Sequence, residues 1–126
     1  MPAHQMPDIK VDVKTQYIRT QSIPEEKKYV FAYHIDIYNS SHHTVQLMTR
    51  HWLITDGNGK LQEVKGEGVV GDTPILEPGQ SYQYSSGAVL ATEVGSMSGQ
   101  YGMQLILENE DECINDIETD SLMFNT

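Results

Sequence analysis

The fold is decided by residues 50–102, which read RHWLITDGNGKLQEVKGEGVVGDTPILEPGQSYQYSSGAVLATEVGSMSGQYG. An aromatic strand, an Asp-Gly-Asn-Gly turn and a run of glycines and prolines follow one another in this stretch. Asp-Gly and Asn-Gly adopt positive φ angles readily, so residues 56–59 predict a β-hairpin. Catalytic residue types are scarce here, so the stretch indicates a fold more than a reaction.

Alternation of apolar and polar residues continues on both sides of that hairpin. It predicts strands over residues 9–17, 29–37, 45–55, from about 80 to 86, and 101–107. Ser86-Gly87 is expected either to bulge or to end its strand. No stretch shows the 3.6-residue period of an amphipathic helix. Short strands separated by turn signals predict an all-β, antiparallel β-sandwich.

The alternation also predicts which side chains point inward. In the strand over residues 45–55 we place Leu47 and Leu53 on one face and Met48, Trp52 and Ile54 on the other. From residue 108 the chain is acidic and its apolar residues are scattered. That segment is expected to form either a final edge strand or a frayed tail.

Bulk properties limit the function classes. The net charge is −10, and residues 66–126 contain eleven Asp and Glu but no Lys or Arg. A nucleic-acid interface needs a cationic face, so binding to nucleic acids or anionic membranes is disfavoured. There is one cysteine, no secretory signal and no 18-residue apolar stretch. We therefore predict one cytoplasmic domain over residues 2–126 that does not insert into a membrane.

The order of short motifs resembles one known family, the ApaG family, over residues 9–107. The motifs are QSIP at 21–24, YVFAYHIDIYN at 29–39, RHWLITDGNG at 50–59, VKGEGVVGDTP at 64–74, LEPG at 76–79, YSSG at 84–87 and GSMSGQYG at 95–102. The resemblance implies an immunoglobulin/fibronectin type III-like β-sandwich. The tail departs from the family pattern, because Cys113 and Asn115 replace apolar residues and Glu118 replaces a proline.

The resemblance implies less about function. The family takes its name from gene neighbourhood with a diadenosine tetraphosphate hydrolase, and bacterial members are linked to cobalt and magnesium efflux or resistance. In eukaryotic F-box and polymerase-interacting proteins the domain resembles an interaction module. The family offers no catalytic residues to transfer to this chain.

A glycine motif supports two interpretations. Gly66, Gly68 and Gly71 satisfy G-x-G-x-x-G, with Glu67 inside it. In dinucleotide-binding folds these glycines bring backbone N–H groups to a pyrophosphate at a helix N-terminus. Here Asp-Thr-Pro follows instead of a helix, and Glu67 would repel phosphate. We therefore favour a bend or close strand packing over a phosphate site.

Histidines raise the question of a metal site. His34 and Asp36 share a strand face, and His42-His43 lies in a turn. Imidazole and carboxylate together suit Co²⁺, Ni²⁺ or Zn²⁺. A metal site would require three ligands to converge from separate segments. We favour solvated histidines and keep these four residues as candidate metal ligands.

Arg50 and Trp52 share a strand face, with His51 on the opposite one. Their pairing predicts either a structural cation–π contact or, if exposed, an interface anchor.

We predict a non-enzymatic interaction module without a cofactor, whose ion-related role rests on the family resemblance alone. A protein partner is expected, and open sheet edges offer a route to self-association. The alternative is a nucleotide- or pyrophosphate-binding protein that acts alongside diadenosine tetraphosphate metabolism. Its charge would come from Arg50 or Lys65.

Overall fold

The structure, a computed structural model, describes residues 9–67, 72–106, 111–118 and 122–126, with the backbone alone for 111–118 and 122. These ranges form two antiparallel β-sheets and contain no α-helix, only two short 3₁₀ turns between the first two strands. None of the described segments is a helix long and apolar enough to cross a membrane.

The described strands, in chain order, are β1 (Ile9–Tyr17), β2 (Tyr29–Asn39), β3 (Thr44–Asp56), β4 (Leu61–Glu67), β5 (Ile75–Leu76), β6 (Ser81–Leu90), β7 (Val94–Ile106), β8 (Asp111–Glu118) and β9 (Leu122–Asn125). The three-stranded sheet has the order β1-β2-β6. The six-stranded sheet has the order β4-β3-β7-β8, with β5 paired to β3 and β9 paired to β7.

The two sheets pack through aromatic side chains on their inner faces. Phe31 on β2 lies 5.0 Å, centroid to centroid, from Phe124 on β9. Tyr33, two residues further along β2, lies 6.3 Å from the ring of Trp52 on β3. These contacts join one sheet to the other, so the predicted all-β antiparallel sandwich is confirmed.

A β-bulge corrects the predicted faces of β3. The register between β3 and β7 shifts between Leu47 and Thr49, which places an extra residue at Met48. Leu47 is consequently buried on the same inner face as Trp52 and Ile54. The prediction that Leu47 opposes Trp52 is wrong, because simple alternation cannot anticipate an inserted residue.

Two strands extend further than the sequence indicated. β6 continues through Ser86-Gly87 to Leu90 in unbroken register with β2, so neither the bulge nor the strand end occurs there. β7 begins at Val94 rather than near residue 101. Its glycines are packing positions: a Cβ at Gly99 would collide with the His51 carbonyl oxygen and the Trp52 ring.

The predicted hairpin is present between β3 and β4. Gly59 has a φ of 84°, and the Asp56 N–H donates to the Lys60 carbonyl. The Asp56 carboxylate accepts from the N–H groups of Asn58 and Lys60, each at 2.9 Å, and so closes the turn.

The open question about the acidic tail is resolved in favour of strands. Residues 111–118 pair with β7 as an edge strand, and residues 122–125 pair with its first half. Phe124 is fully buried against Phe31. One aromatic side chain therefore anchors the end of the chain to the core.

Candidate functional site

A hydrogen-bond network at the centre of the sandwich connects the two sheets. The Trp52 indole N–H donates to the Tyr101 hydroxyl at 3.2 Å, and the Tyr101 and Tyr84 hydroxyl oxygens lie 2.5 Å apart. Trp52 and Tyr101 belong to the six-stranded sheet and Tyr84 to the three-stranded one. The network gives the buried polar atoms of Trp52 and Tyr101 hydrogen-bond partners. A buried donor or acceptor without a partner would cost about 1–3 kcal/mol.

Burial controls the ionisation of this network. Burial raises the pKa of Tyr101 far above its usual value of 10.0, and the neighbouring Tyr84 raises it further. Burial also raises the pKa of Tyr84, an effect that its hydrogen bond to Tyr101 opposes. Both phenols therefore stay protonated at neutral pH and act as hydrogen-bonding groups.

Beside this network lies the Arg50 cleft, a depression of about 380 Å³. It is lined by Thr49, Arg50, His51, Lys65, Gly66, Glu67 and Gln100. Arg50 pairs with Gly66 across β3 and β4, and its guanidinium nitrogens lie 3.8–3.9 Å from where a Gly66 Cβ would stand. His51 points to the opposite face and makes a 2.6 Å contact with Glu63.

The structure brings only part of the predicted binding set together. Arg50, Gly66 and Glu67 line one cleft, whereas Gly68 and Gly71 lie outside the described residues. Gly66 and Glu67 belong to strand β4, so this part of the motif presents no helix N-terminus to a phosphate. Gly66 instead leaves room for the Arg50 side chain, in agreement with the close-packing interpretation.

Trp52 requires a correction. Its side chain is fully buried between Tyr33 and Tyr101, so it cannot serve as the exposed interface anchor considered for an Arg50–Trp52 pair. The reason is that β3 is a central strand whose inner face is covered by the opposite sheet.

The candidate metal ligands lie in two places. His34 and Asp36 share the outer face of the three-stranded sheet, beside a depression of about 350 Å³. His34 Nδ1 is hydrogen-bonded to Ser85 Oγ at 2.6 Å, and Asp36 accepts from the Gln83 amide at 3.2 Å. The second Asp36 carboxylate oxygen is buried without a partner among the described residues.

His42 and His43 are exposed in the turn after β2. Among the side chains of residues 9–67, 72–106 and 123–126, no three His, Cys, Asp or Glu residues converge as metal ligands would. Direct metal binding by these residues stays the alternative to the favoured interpretation, solvated histidines.

The outer face of the six-stranded sheet carries a feature that the sequence reading missed. Leu61, Thr55, Ser96 and Met123 occupy successive register positions across β4, β3, β7 and β9. Leu61 and Met123 are 57% and 65% exposed, and Val94, beside Ser96, is 44% exposed. We call Leu61, Val94 and Met123 the outer apolar patch.

A sequence signal for this patch exists. Leu61 is in phase with Glu63 and Lys65 along β4, and Val94 is in phase with Ser96 and Ser98 along β7. An apolar residue in phase with polar neighbours is expected on the solvent-facing side of a strand. The pairing of β4 with β3, of β3 with β7 and of β7 with β9 places the three residues in one region of the same sheet face.

Comparison with known proteins agrees with this architecture. The profile of the ApaG domain family matches residues 19–105. Protein ApaG of Shewanella sp. strain ANA-3 is 56% identical over 95 residues, which cover 75% of each chain. The crystal structure of a Bordetella pertussis protein assigned as ApaA superposes with a TM-score of 0.88 at 39% identity, covering 94% of each chain. A Northeast Structural Genomics Consortium target gives 0.82 at 47% identity, over 94% of this chain and 86% of the other. This chain belongs to the ApaG domain family.

Proposed function

We propose that this chain is a non-enzymatic interaction module that binds a protein partner through the outer apolar patch. The observation that supports this proposal is the placement of Leu61, Val94 and Met123, each more than 40% exposed, within one region of one sheet face. Single exposed apolar residues are ordinary, whereas a group of them marks a docking surface. The row from Leu61 to Met123 crosses three strand spacings, or about 14 Å.

Covering the patch would contribute to the affinity for a partner. Complete burial of a Leu, Val or Met side chain contributes about 1.5–3 kcal/mol. Since roughly half of each side chain is exposed, covering all three would contribute about 2–4.5 kcal/mol at the same coefficient. That corresponds to a factor of about 30 to 2,000 in affinity.

Paired variants test this proposal. The double substitution Leu61→Ser/Met123→Ser removes the patch, and Ile75→Ser changes a side chain of similar exposure, 54%, elsewhere on the same sheet. Proteins retained from a cell extract by the wild type are identified and their affinity is measured with purified components. We expect the double variant to bind such a partner at least about tenfold more weakly and Ile75→Ser to bind it normally. Equal affinity of all three proteins would refute the proposal.

A second candidate function is the binding of a nucleotide or pyrophosphate in the Arg50 cleft. It is favoured by the three basic residues Arg50, His51 and Lys65, which all line one depression, although the Arg50 side chain lies on the sheet face opposite to His51 and Lys65. Glu67 lines the same cleft and opposes an anion. The charge balance of the cleft therefore makes this candidate the weaker of the two.

Calorimetric titration with diadenosine tetraphosphate, ATP and pyrophosphate separates the candidates. Lys65→Gln removes a cleft cation, and Lys60→Gln removes an exposed lysine at the hairpin turn. Micromolar binding that is lost in Lys65→Gln but kept in Lys60→Gln would establish the second function. Absence of heat with all three ligands would eliminate it.

The cellular role near cobalt and magnesium homeostasis is also proposed, and it rests on the family resemblance alone. We propose that the chain modulates a transporter through protein contact. Comparing the proteins bound by wild type and by Leu61→Ser/Met123→Ser in cells grown with and without excess cobalt tests this role. A membrane transporter that binds the wild type but not the double variant would support this role. If no such transporter is among the bound proteins, the role is contradicted.

A further inference from the structure

Strand β6 differs from the other strands at the ends of the two sheets. The end strands of the two main strand orders are β1, β6, β4 and β8, and the two strands off these orders, β5 and β9, span only two and four residues. The sequences of β1, β4 and β8 contain charged residues, which protect sheet edges against pairing with other chains. β6 reads SYQYSSGAVL and contains no charge and no proline over ten residues. It is therefore a long edge without the usual protection.

The backbone groups on the outer edge of β6 can be assigned. The carbonyl oxygen of Val89 accepts a hydrogen bond at 3.0 Å from the Gln62 side chain on β4, so it points away from β2. The register of β6 with β2 is unbroken, and backbone groups alternate in direction along a strand. Ser81, Gln83, Ser85 and Gly87 therefore direct their N–H and C=O groups to the same outer edge as Val89.

The inner side of β6 is also partly open from Tyr82 to Ser86, whereas Ala88 and Leu90 further along are buried. Ser86 stands opposite Tyr33 and shares its inward-facing side, yet Ser86 is exposed whereas Tyr33 is buried. Tyr82 and Tyr84 on the same side are half-buried. A further strand beside β6 would cover these three side chains.

We propose that β6 pairs in antiparallel fashion with β6 of a second copy of this chain, about a two-fold axis at Tyr84. This register places Gln83 opposite Ser85 of the second copy and Ser81 opposite its Gly87. The four outward-directed residues other than Val89, whose carbonyl oxygen bonds to Gln62, then all pair with the second copy. This proposal goes beyond the proposed function, because it uses an edge that does not include the outer apolar patch.

Two features favour a second copy as the occupant. The strand is uncharged, so pairing it with itself places no charge opposite a like charge. On the inner surface the same register sets Tyr82 opposite the exposed Ser86 of the second copy, which matches a large side chain with a small one. The net charge of −10 on each chain opposes association, and salt screens that repulsion.

Sedimentation equilibrium of the full chain tests the proposal. We expect a concentration-dependent dimer that strengthens as ionic strength rises from about 0.01 M to about 1 M, where the screening length falls from about 30 Å to about 3 Å. A wild-type protein that stays monomeric at millimolar concentration in both salts would overturn it.

Charge variants locate the interface. Gln83→Glu/Ser85→Glu changes two exposed side chains and sets like charges directly opposite each other in the proposed register. We expect dimerisation to weaken by at least about tenfold. Gln16→Glu/Gln21→Glu adds the same charge at exposed positions away from β6, and this control is expected to dimerise normally.

Complementary variants complete the test. Gln83→Lys/Ser85→Lys is expected to be monomeric alone and to form a heterodimer when mixed with Gln83→Glu/Ser85→Glu. A dimer that survives the Glu variant, or a failure of the two variants to associate, would overturn the proposal.

Discussion

The inner surface of the sandwich is buried at its centre and partly exposed at the edge strand β6. Trp52 at the centre is covered from both sheets by Tyr33 and Tyr101 and is fully buried. Ser86 lies on the same inner side of the three-stranded sheet and remains exposed. A side chain on the inner surface is therefore buried only where the opposite sheet extends over it. We infer that the centre supplies stability and the edges supply contacts.

The variant with the largest expected effect on stability removes the indole of Trp52. Trp52→Ala is expected to lower the free energy of unfolding by about 3–5 kcal/mol, because it deletes a buried ring and leaves Tyr101 without its donor. Urea unfolding followed by circular dichroism measures the loss. Val89→Ala, at an edge side chain that is 51% exposed, is the control and is expected to change stability by less than about 0.5 kcal/mol. Similar losses in both variants would contradict the contrast.

A second test adds an atom to the centre. Gly99→Ala places a Cβ against the His51 carbonyl oxygen and the Trp52 ring, and overpacking of this kind costs about 1–3 kcal/mol. Ser98→Ala, the neighbouring outward-facing position, is the control. Thermal unfolding should show a lower Tm for Gly99→Ala and an unchanged Tm for Ser98→Ala. An unchanged Tm would mean that the two strands are not packed so closely.

The strands and faces predicted from the sequence differ from the structure at two places in this interior. Alternation correctly predicted β1 and β2, because each strand has one buried face and no irregularity. It failed at Met48, where a bulge changes the phase, and in the first half of β7, where glycine and serine hide a central strand. Local pattern does not record which strand lies next to which.

The candidate sites show the same limit. The sequence grouped Arg50 with Gly66 through nearby motifs, and the hairpin places them side by side. It could not link Tyr84 to Tyr101, which meet only when the two sheets pack. Nor could it assemble the outer apolar patch, whose members come from three strands.

A smaller effect is expected from alkaline pH. Burial raises the pKa of Tyr101 above its unfolded value near 10. The unfolded chain therefore loses this proton first, so the stability is complete below about pH 10 and declines as pH rises further. The decline is at most about 1.4 kcal/mol per pH unit for one phenol.

Tyr101→Phe isolates this contribution. The variant should lose about 0.5–1.5 kcal/mol at neutral pH, because the indole N–H and the Tyr84 hydroxyl lose a partner. Its stability should then fall less steeply than that of the wild type above pH 10. Urea unfolding at pH 7 to 11 gives both values, and parallel pH profiles would contradict the assignment.

The smallest expected effect concerns metals. Ligands that bind only the folded state raise Tm, so a metal site at His34 and Asp36 would show a metal-dependent increase. We expect millimolar Co²⁺ or Mg²⁺ to leave the Tm of the wild type unchanged. An increase that disappears in His34→Ala but not in His42→Ala would place a metal site on the outer face of the three-stranded sheet.

Residue-resolved amide hydrogen exchange at two protein concentrations tests the contrast between centre and edge most directly. We predict that the Trp52 and Tyr101 amides are protected at both concentrations. Those of Ser81, Gln83, Ser85 and Gly87 should exchange rapidly in dilute protein and slow down in concentrated protein. Edge amides with the same exchange rate at both concentrations, or central amides that exchange as fast as the edge, would contradict the account.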